Sequence, residues 1–415
     1  MPGPARRIGS LCTFCDNSNA ARPDGDRPQA RQASRAALDL GSAEGMRGDT
    51  VILFAIGLPG RFAEWCDSVV ARLVGELGGA VVCKTWPSLT EMFGYEAIAP
   101  TLDELGRVLI GNDAEHLVIG ARQPDAALRR ALAERNTRFL VVLDDPRNAV
   151  ADIVAETGCD LKMAVRAVAN SCPLVMLACR LAGALQVNAD HARSDPQATI
   201  ATIAAHFGID VGPDTIAAIA DELAAQASLT LPAGETLLAG LAPGTRNMLD
   251  GALLGYRDLF FTGNLGQLVW ARDLFALAAD PGASLGEPID VAGGTRLLIF
   301  GPYIQLPGGS WTAQVVLGFS AEAAVHTFLV DVYAEGQLAA TTFRPEVAGI
   351  YRAELAFSVG EPGGKGVEVR IGVIDHDGRG SGQVAFGQVV LRLLAMRHTE
   401  ETAPAGEDFT LVLAL

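Results

Sequence analysis

From Val51 to Leu58 the chain reads VILFAIGL, a run with no charged and no hydrogen-bonding side chain. A run this short and this uniformly apolar suits a strand covered on both faces, the usual state of a strand in a parallel sheet. Alternation follows. A helical stretch is expected from Phe62 to Leu77, a second strand at AVVCKTW (Ala80 to Trp86) and a third at HLVIGA (His116 to Ala121). A helix from Asp125 to Asn136 and a fourth strand at RFLVVLD (Arg138 to Asp144) complete the series. Strand–helix alternation of this kind predicts an α/β domain around a parallel sheet. Residues 147–280 read as mostly helical additions. They hold an apolar-rich stretch from Asp160 to Leu185, a capped helix start at Ser194-Asp195-Pro196 and an Ala-rich helix from Asp214 to Ala227.

At Asp280-Pro281-Gly282 the period changes. Beyond it, strand-like runs are separated by Gly, Pro and Asp turns, and at least seven strands in about 110 residues predict a C-terminal antiparallel β-sandwich. The expected division is a disordered extension over 1–49, an α/β domain over 50–280, a β-sandwich over 286–396, and an acidic tail over 397–415 in which FTLVLAL is the candidate for a last strand. Met46, just before the first strand, makes a later start site conceivable for the extension.

Composition narrows the function classes. An apolar share of 49% against 19% charged residues excludes wholesale disorder. A net charge of −16 argues against a nucleic-acid partner. No apolar stretch reaches the ~18 residues that a spanning helix needs, so no membrane span is expected. The seven Cys are odd in number and mostly sit in apolar runs, as free thiols do in a reducing compartment. Cys12 and Cys15 form a CxxC with no second pair at metal spacing, so no metal site is expected. No secretory signal is evident, and a cytoplasmic, bacterial-type protein is the default. Oligomeric state is not legible.

The first strand runs into GLPGRFAEW (Gly57 to Trp65). A strand, a tight Gly/Pro turn and a helix N-terminus suit an anion, because unpaired N–H groups and the helix dipole point at it. The P-loop pattern GxxxxGK[ST] is absent.

At this point the sequence resembles the sulfotransferase family, with its P-loop nucleotide-kinase-like fold, in a motif-degenerate form. Five segments follow in family order over about residues 50–270. Gly57, Pro59 and Trp65 match the first motif, G-x-P-[RK]-S-G-T-T-W, whose basic residue is replaced by Gly60 and whose Ser is replaced by Arg61. Lys84 and Thr85 match a K-T-H motif, with Trp86 in place of the catalytic-base His. Asp145, Pro146, Arg147 and Val150 match V-x-R-[DN]-P-[RK]-D-x-x-x-S, but Asp144 and Asp152 replace its phosphate-binding Arg and Ser. Asp195, Pro196, Phe207, Gly208 and Ile209 match a later DP…FLGI segment. Gly263 and Gly266 match a R-[KR]-G-x-x-G-D-W loop whose basic pair here is Phe261 and Thr262.

The resemblance implies phosphoadenosine phosphosulfate as donor and a glycan or small-molecule hydroxyl as acceptor. Gly57, Pro59, Gly60, Arg61, Lys84, Arg147 and Gly263 would hold the donor. Lys84 would serve catalysis, with His191, or His116, as a replacement base. The departures point the other way. Each lost charge-assisted contact to phosphate is worth about 1.5–3 kcal/mol, and Glu64, Asp144 and Asp152 add negative charge facing a polyanion. The alternative is a non-catalytic protein that keeps the fold and acts as a carbohydrate-binding or scaffold protein. Its sandwich carries Tyr303, Trp311, Tyr333 and Tyr351, which either fill the core or stack on sugar faces. Asp375-His376-Asp377-Gly378 reads as a hairpin turn rather than a calcium loop.

Overall fold

The computed structural model describes residues 51–85, 115–124, 126–134, 137–224, 233–283, 285–374, 381–396 and 410–413. The N-terminal extension, the CxxC, Trp86, the Asp375–Gly378 turn and residues 397–409 of the acidic tail lie outside the described residues.

Five strands form the first sheet: β1 (Ile52–Gly57), β2 (Val81–Thr85), β3 (His116–Ala121), β4 (Phe139–Leu143) and β5 (Ala184–Asn188). Their order is β2-β3-β1-β4-β5, and every neighbouring pair is parallel. Side chains alternate across β1. Leu53 and Ala55 enter one apolar core, Phe54 and Ile56 the other. The first core is closed by α1 (Arg61–Gly75) and by helices beyond β5. The second is closed by α2 (Ala126–Glu134), α3 (Pro146–Thr157) and α4 (Leu161–Ala178). Two covered faces explain why β1, β3 and β4 read as unbroken apolar runs.

The sequence placed Asp160 to Leu185 in one apolar stretch. The structure ends α4 at Ala178, turns, and adds β5 as the fifth strand. This strand lies at a sheet edge and only Val187 on it is fully buried, so it lacks the apolar run that marks a central strand. Among the described residues α4 is the one helix long and apolar enough to cross a membrane. Most of it is buried inside the protein, which accounts for its composition.

Next come α5 (Ala189–Ser194), α6 (Pro196–Phe207), α7 (Pro213–Ala224), α8 (Ala233–Gly240) and α9 (Pro243–Thr262). As the sequence predicted, Asp195 caps α6, accepting from the Ala198 N–H at 2.9 Å, with Pro196 at the first helical position.

The antiparallel part begins earlier than its change of period. Strand β6 (Leu268–Ala271) follows α9 directly, and β7 (Ala276–Leu277) follows a single 3-10 turn. The remaining strands are β8 (Ile289–Asp290), β9 (Arg296–Phe300), β10 (Pro302–Ile304), β11 (Gly309–Phe319), β12 (Thr327–Tyr333), β13 (Gln337–Phe343), β14 (Gly349–Val359), β15 (Val367–Ile374), β16 (Gln383–Met396) and β17 (Thr410–Leu413). One sheet runs β13-β12-β15-β9-β7 with β10 beside β15. The other runs β17-β14-β11-β16-β6 with β8 beside β16. On β11 every second residue from Gly309 to Phe319 is buried, the signature of a strand with one face in a core. That core is continuous with the α3/α4 side of the parallel sheet: Trp270, Trp311 and Tyr256 share it with Phe54 and Val168. Hydrogen bonds also cross the seam, from Asn170 Nδ2 to Tyr303 O (3.2 Å) and from Tyr256 Oη to Gln305 O (3.2 Å).

Candidate functional site

In the parallel sheet the chain leaves β1 toward β2 and leaves β4 toward β5. These neighbours therefore diverge at their carboxyl ends and open a crevice between them, the place where open α/β sheets bind ligands. Gly57 ends β1 there. A Cβ on it would stand 2.8 Å from Val142 Cβ, so glycine allows the close approach of β1 to β4. Pro59 is buried, and Gly60 follows with φ 145°, a backbone region open to glycine. A Cβ on Gly60 would meet Asp152 Oδ2 at 2.9 Å.

This contact defines the site. The Arg61 N–H, at the first turn of α1, donates to Asp152 Oδ2 at 2.8 Å, and Arg61 Nε lies 3.2 Å from Asp152 Oδ1. The helix N-terminus that would face an anion already faces a carboxylate of its own chain, delivered by α3 from 91 residues away. Burial pushes the Asp152 carboxyl up from its ordinary value; the Arg61 N–H and guanidinium offset part of that shift.

The neighbouring charges are neutralised in the same way. Asp144, at the end of β4, is buried, and burial raises its carboxyl too. It accepts from the Asp145 N–H (2.8 Å) and from Asn148 Nδ2 (3.0 Å), and Arg193 Nη2 lies 3.3 Å from both its oxygens. Arg147 does not point to an open site. It binds Asp145 through Nε (3.0 Å) and Nη2 (2.6 Å) and reaches Asp250 on α9 through Nη1 (3.3 Å). Arg257 Nε joins Asp145 at 3.3 Å. On β3, Gly120 leaves room for Asp67, which pairs with Arg122 at 2.5 Å.

Lys84 is exposed on β2, and His191 is exposed on α5 just after β5. These are opposite edges of the sheet, four strand spacings or about 19 Å apart. The structure does not bring this acid–base pair together. His116 is buried at the start of β3, the end away from the crevice. Its Nε2 contacts Gly78 O at 2.7 Å and its Nδ1 receives the Val51 N–H at 3.4 Å. Gly263 ends α9 in the left-handed region (φ 78°), and its N–H bonds Leu259 O at 2.9 Å, the ordinary work of a C-terminal cap. Gly57, Pro59, Gly60 and Arg61 do share the crevice.

Sequence reasoning missed Arg193, Arg122 and Asp67. Arg193 was accessible as the cation three residues after Asp190 in the segment following β5. Asp67 and Arg122 meet only through the fold. A cavity of about 580 Å³ between α1 and β2 is lined by Glu64, Asp67, Glu76 and Cys83 among others, a wall unsuited to a polyanion. Among the described residues no group of three or more His, Cys, Asp or Glu side chains is placed to hold a metal ion.

The residues present do not fit phosphoadenosine phosphosulfate. Among the described residues Arg61, Arg122, Arg147 and Arg193 are each paired with an internal carboxylate, and Asp152 already holds the N–H at the start of α1 that an anion would need.

No protein-family model and no curated protein matches the chain. Solved structures with partial likeness fall into two groups. A mouse sulfotransferase, SULT7A1, complexed with PAP aligns at 12% identity over 42% of this chain and 65% of its own, with a TM-score of 0.32. The chain thus spans less than two thirds of that enzyme's length. A sulfotransferase from Alicyclobacillus acidocaldarius aligns at 12% identity over 48% of this chain and 100% of its own, with a TM-score of 0.29. A xylan-binding module, CBM15, aligns at 13% identity over 32% of this chain and 100% of its own, with a TM-score of 0.23. At these scores the likenesses assign no activity and place no residue.

Proposed function

We propose that this chain is a non-catalytic binding protein. Its α/β unit is a scaffold that keeps a sulfotransferase-like strand-end crevice without donor chemistry, and its sandwich is the part that contacts carbohydrate. The observation that carries the reading is the Asp152 carboxylate on the Arg61 N–H at the start of α1. A phosphate arriving there would have to displace a tethered, buried carboxylate, and would then face Asp144 as well. The separation of Lys84 from His191 supports the same reading, because general acid–base transfer needs its partners within hydrogen-bond reach of one substrate.

Calorimetry of the full chain with the desulfated donor, phosphoadenosine phosphate, tests it. The expected result is no heat and no thermal shift at millimolar nucleotide. Micromolar binding that Lys84→Ala weakens would overturn the reading and restore a transferase.

A further inference from the structure

The outer face of the β13-β12-β15-β9 sheet carries a cluster that the strand-end crevice does not explain. Strands β12 and β15 pair with Asp331 opposite Arg370 and Tyr333 opposite Glu368. Their alternate residues Phe328, Val330, Val332, Val369 and Ile371 fill the sandwich core, so this polar set stands on the other face. Asp331 and Glu368 are nevertheless buried. Arg370 covers Asp331 with a two-pronged contact, Nε to Oδ1 at 2.9 Å and Nη2 to Oδ2 at 2.5 Å. The same guanidinium lies 3.9 Å from the centroid of the Tyr333 ring.

Tyr303, on β10, completes it. Strand β10 pairs with β15 so that Pro302 stands opposite Glu368, which sets Tyr303 beside that residue, and burial with the neighbouring Glu368 carboxylate pushes the Tyr303 hydroxyl's pKa up. The residue is 49% exposed, one of the few large apolar groups left in water among the described residues, with its ring edge-on to Phe300. Its backbone is held at φ 63°, where a bulky side chain is a genuine outlier. Such strain persists only where the surroundings fix it, and it gathers at ligand clamps. The surroundings do fix it: Asn170 on α4 accepts the Gln305 N–H at 2.6 Å and donates to Tyr303 O at 3.2 Å. Two buried polar atoms, Arg166 Nε and Gln305 Oε1, have no hydrogen-bond partner among the described residues.

We infer that this face is a glycan-binding site, with one neutral sugar ring stacked on Tyr303 and its hydroxyls shared between Glu368 and Arg370. This deepens the carbohydrate reading of the sandwich given above and rests on it. A flat exposed ring accepts the apolar face of a pyranose. The partly exposed Arg370 guanidinium, with the Glu368 carboxylate two residues away on the same face of β15, supplies the donors and the acceptor that vicinal hydroxyls require. Two carboxylates, Asp331 and Glu368, are matched by Arg370 and Arg166, so the face has no excess of either sign and suits a neutral sugar better than a phosphate, a sulfated chain or a nucleic acid.

The full chain is titrated calorimetrically with cellohexaose, xylohexaose, laminarihexaose and mannohexaose, with a heparin hexasaccharide and a thymidine oligonucleotide alongside. At least one neutral oligosaccharide is expected to bind with a dissociation constant of about 1 mM or tighter. Tyr303→Gly relieves the positive φ, so it is expected to fold with an unchanged or raised Tm and to bind at least tenfold more weakly. Glu368→Gln, which keeps the shape, is expected to weaken binding less. Silence from every neutral oligosaccharide overturns the inference, as does binding that Tyr303→Gly leaves intact, or binding of the heparin fragment or the oligonucleotide alone. Phosphoadenosine phosphate reports on the strand-end crevice, so failure of the sugar site and failure of the non-catalytic reading remain separate results.

Discussion

The strand-end crevice and the outer sandwich face are both made of Arg and carboxylate, and they leave different things exposed. In the crevice Asp152, Asp144, Asp145 and Asp67 each hold an Arg, and the helix N-terminus is capped from within. On the sandwich face Arg370 and Asp331 also pair, yet Tyr303 stands out into water on a backbone it would not choose. The first arrangement consumes its binding groups in the native state; beside the second, the Tyr303 ring, packed edge-on against Phe300, is left half-exposed. A buried ion pair is weak evidence of stabilisation in either place, because desolvation offsets attraction. What distinguishes the two is the group left over.

The comparison can be broken or sharpened by mutation. Trp311 is wholly buried and its indole N–H donates to Pro307 O at 2.9 Å. Trp311→Ala is expected to cost about 3–5 kcal/mol in denaturant unfolding, whereas removal of the exposed Tyr303 side chain should not lower the midpoint. Asp331→Ala strands the Arg370 guanidinium, and a loss of about 1–3 kcal/mol is expected by the same measurement. Gly263→Ala places a Cβ in a left-handed cap and should cost about 1–2 kcal/mol, with no change in the heat of nucleotide titration if Gly263 is only a cap.

The smallest effect is in pH. Asp144 and Asp152 have folded pKa values raised mainly by burial, so the folded state holds their protons more tightly than the unfolded chain. The stability they contribute is complete below the unfolded carboxyl value of about 3.9 and is lost as pH rises through their folded values. A Tm–pH profile of Asp152→Asn should decline less over that window than the parent profile. An equal decline would mean that Asp152 does not titrate as a buried group.

Much of the fold was legible. The VILFAIGL run announced a strand covered on both faces, and the strand-like runs separated by Gly, Pro and Asp turns beyond Asp280 announced the antiparallel part. FTLVLAL does supply β17 at the edge of that second sheet. The edge elements were not legible. LVWA at 268–271 is too short and too close to α9 to announce a strand, and it pairs with residues more than a hundred positions later. The crevice was half legible. Gly57, Gly60 and Arg61 were found as a turn before a helix, and Asp144 and Asp152 were flagged as acids in the wrong place for phosphate. That Asp152 caps α1, and that Arg193 answers Asp144, depends on contacts 91 and 49 residues apart that no local pattern encodes. The four aromatics of the sandwich divided: Trp311 and Tyr351 are core, Tyr303 is exposed and Tyr333 lies half-buried beneath Arg370.

The central claim is that an internal carboxylate occupies the anion position at the start of α1. The direct measurement is phosphoadenosine phosphate calorimetry on the parent chain and on Asp152→Ser, side by side. The account predicts no heat from the parent and measurable binding once the carboxylate is gone and the Arg61 N–H is free. Equal binding by both proteins would contradict it, as would a variant that folds and stays silent.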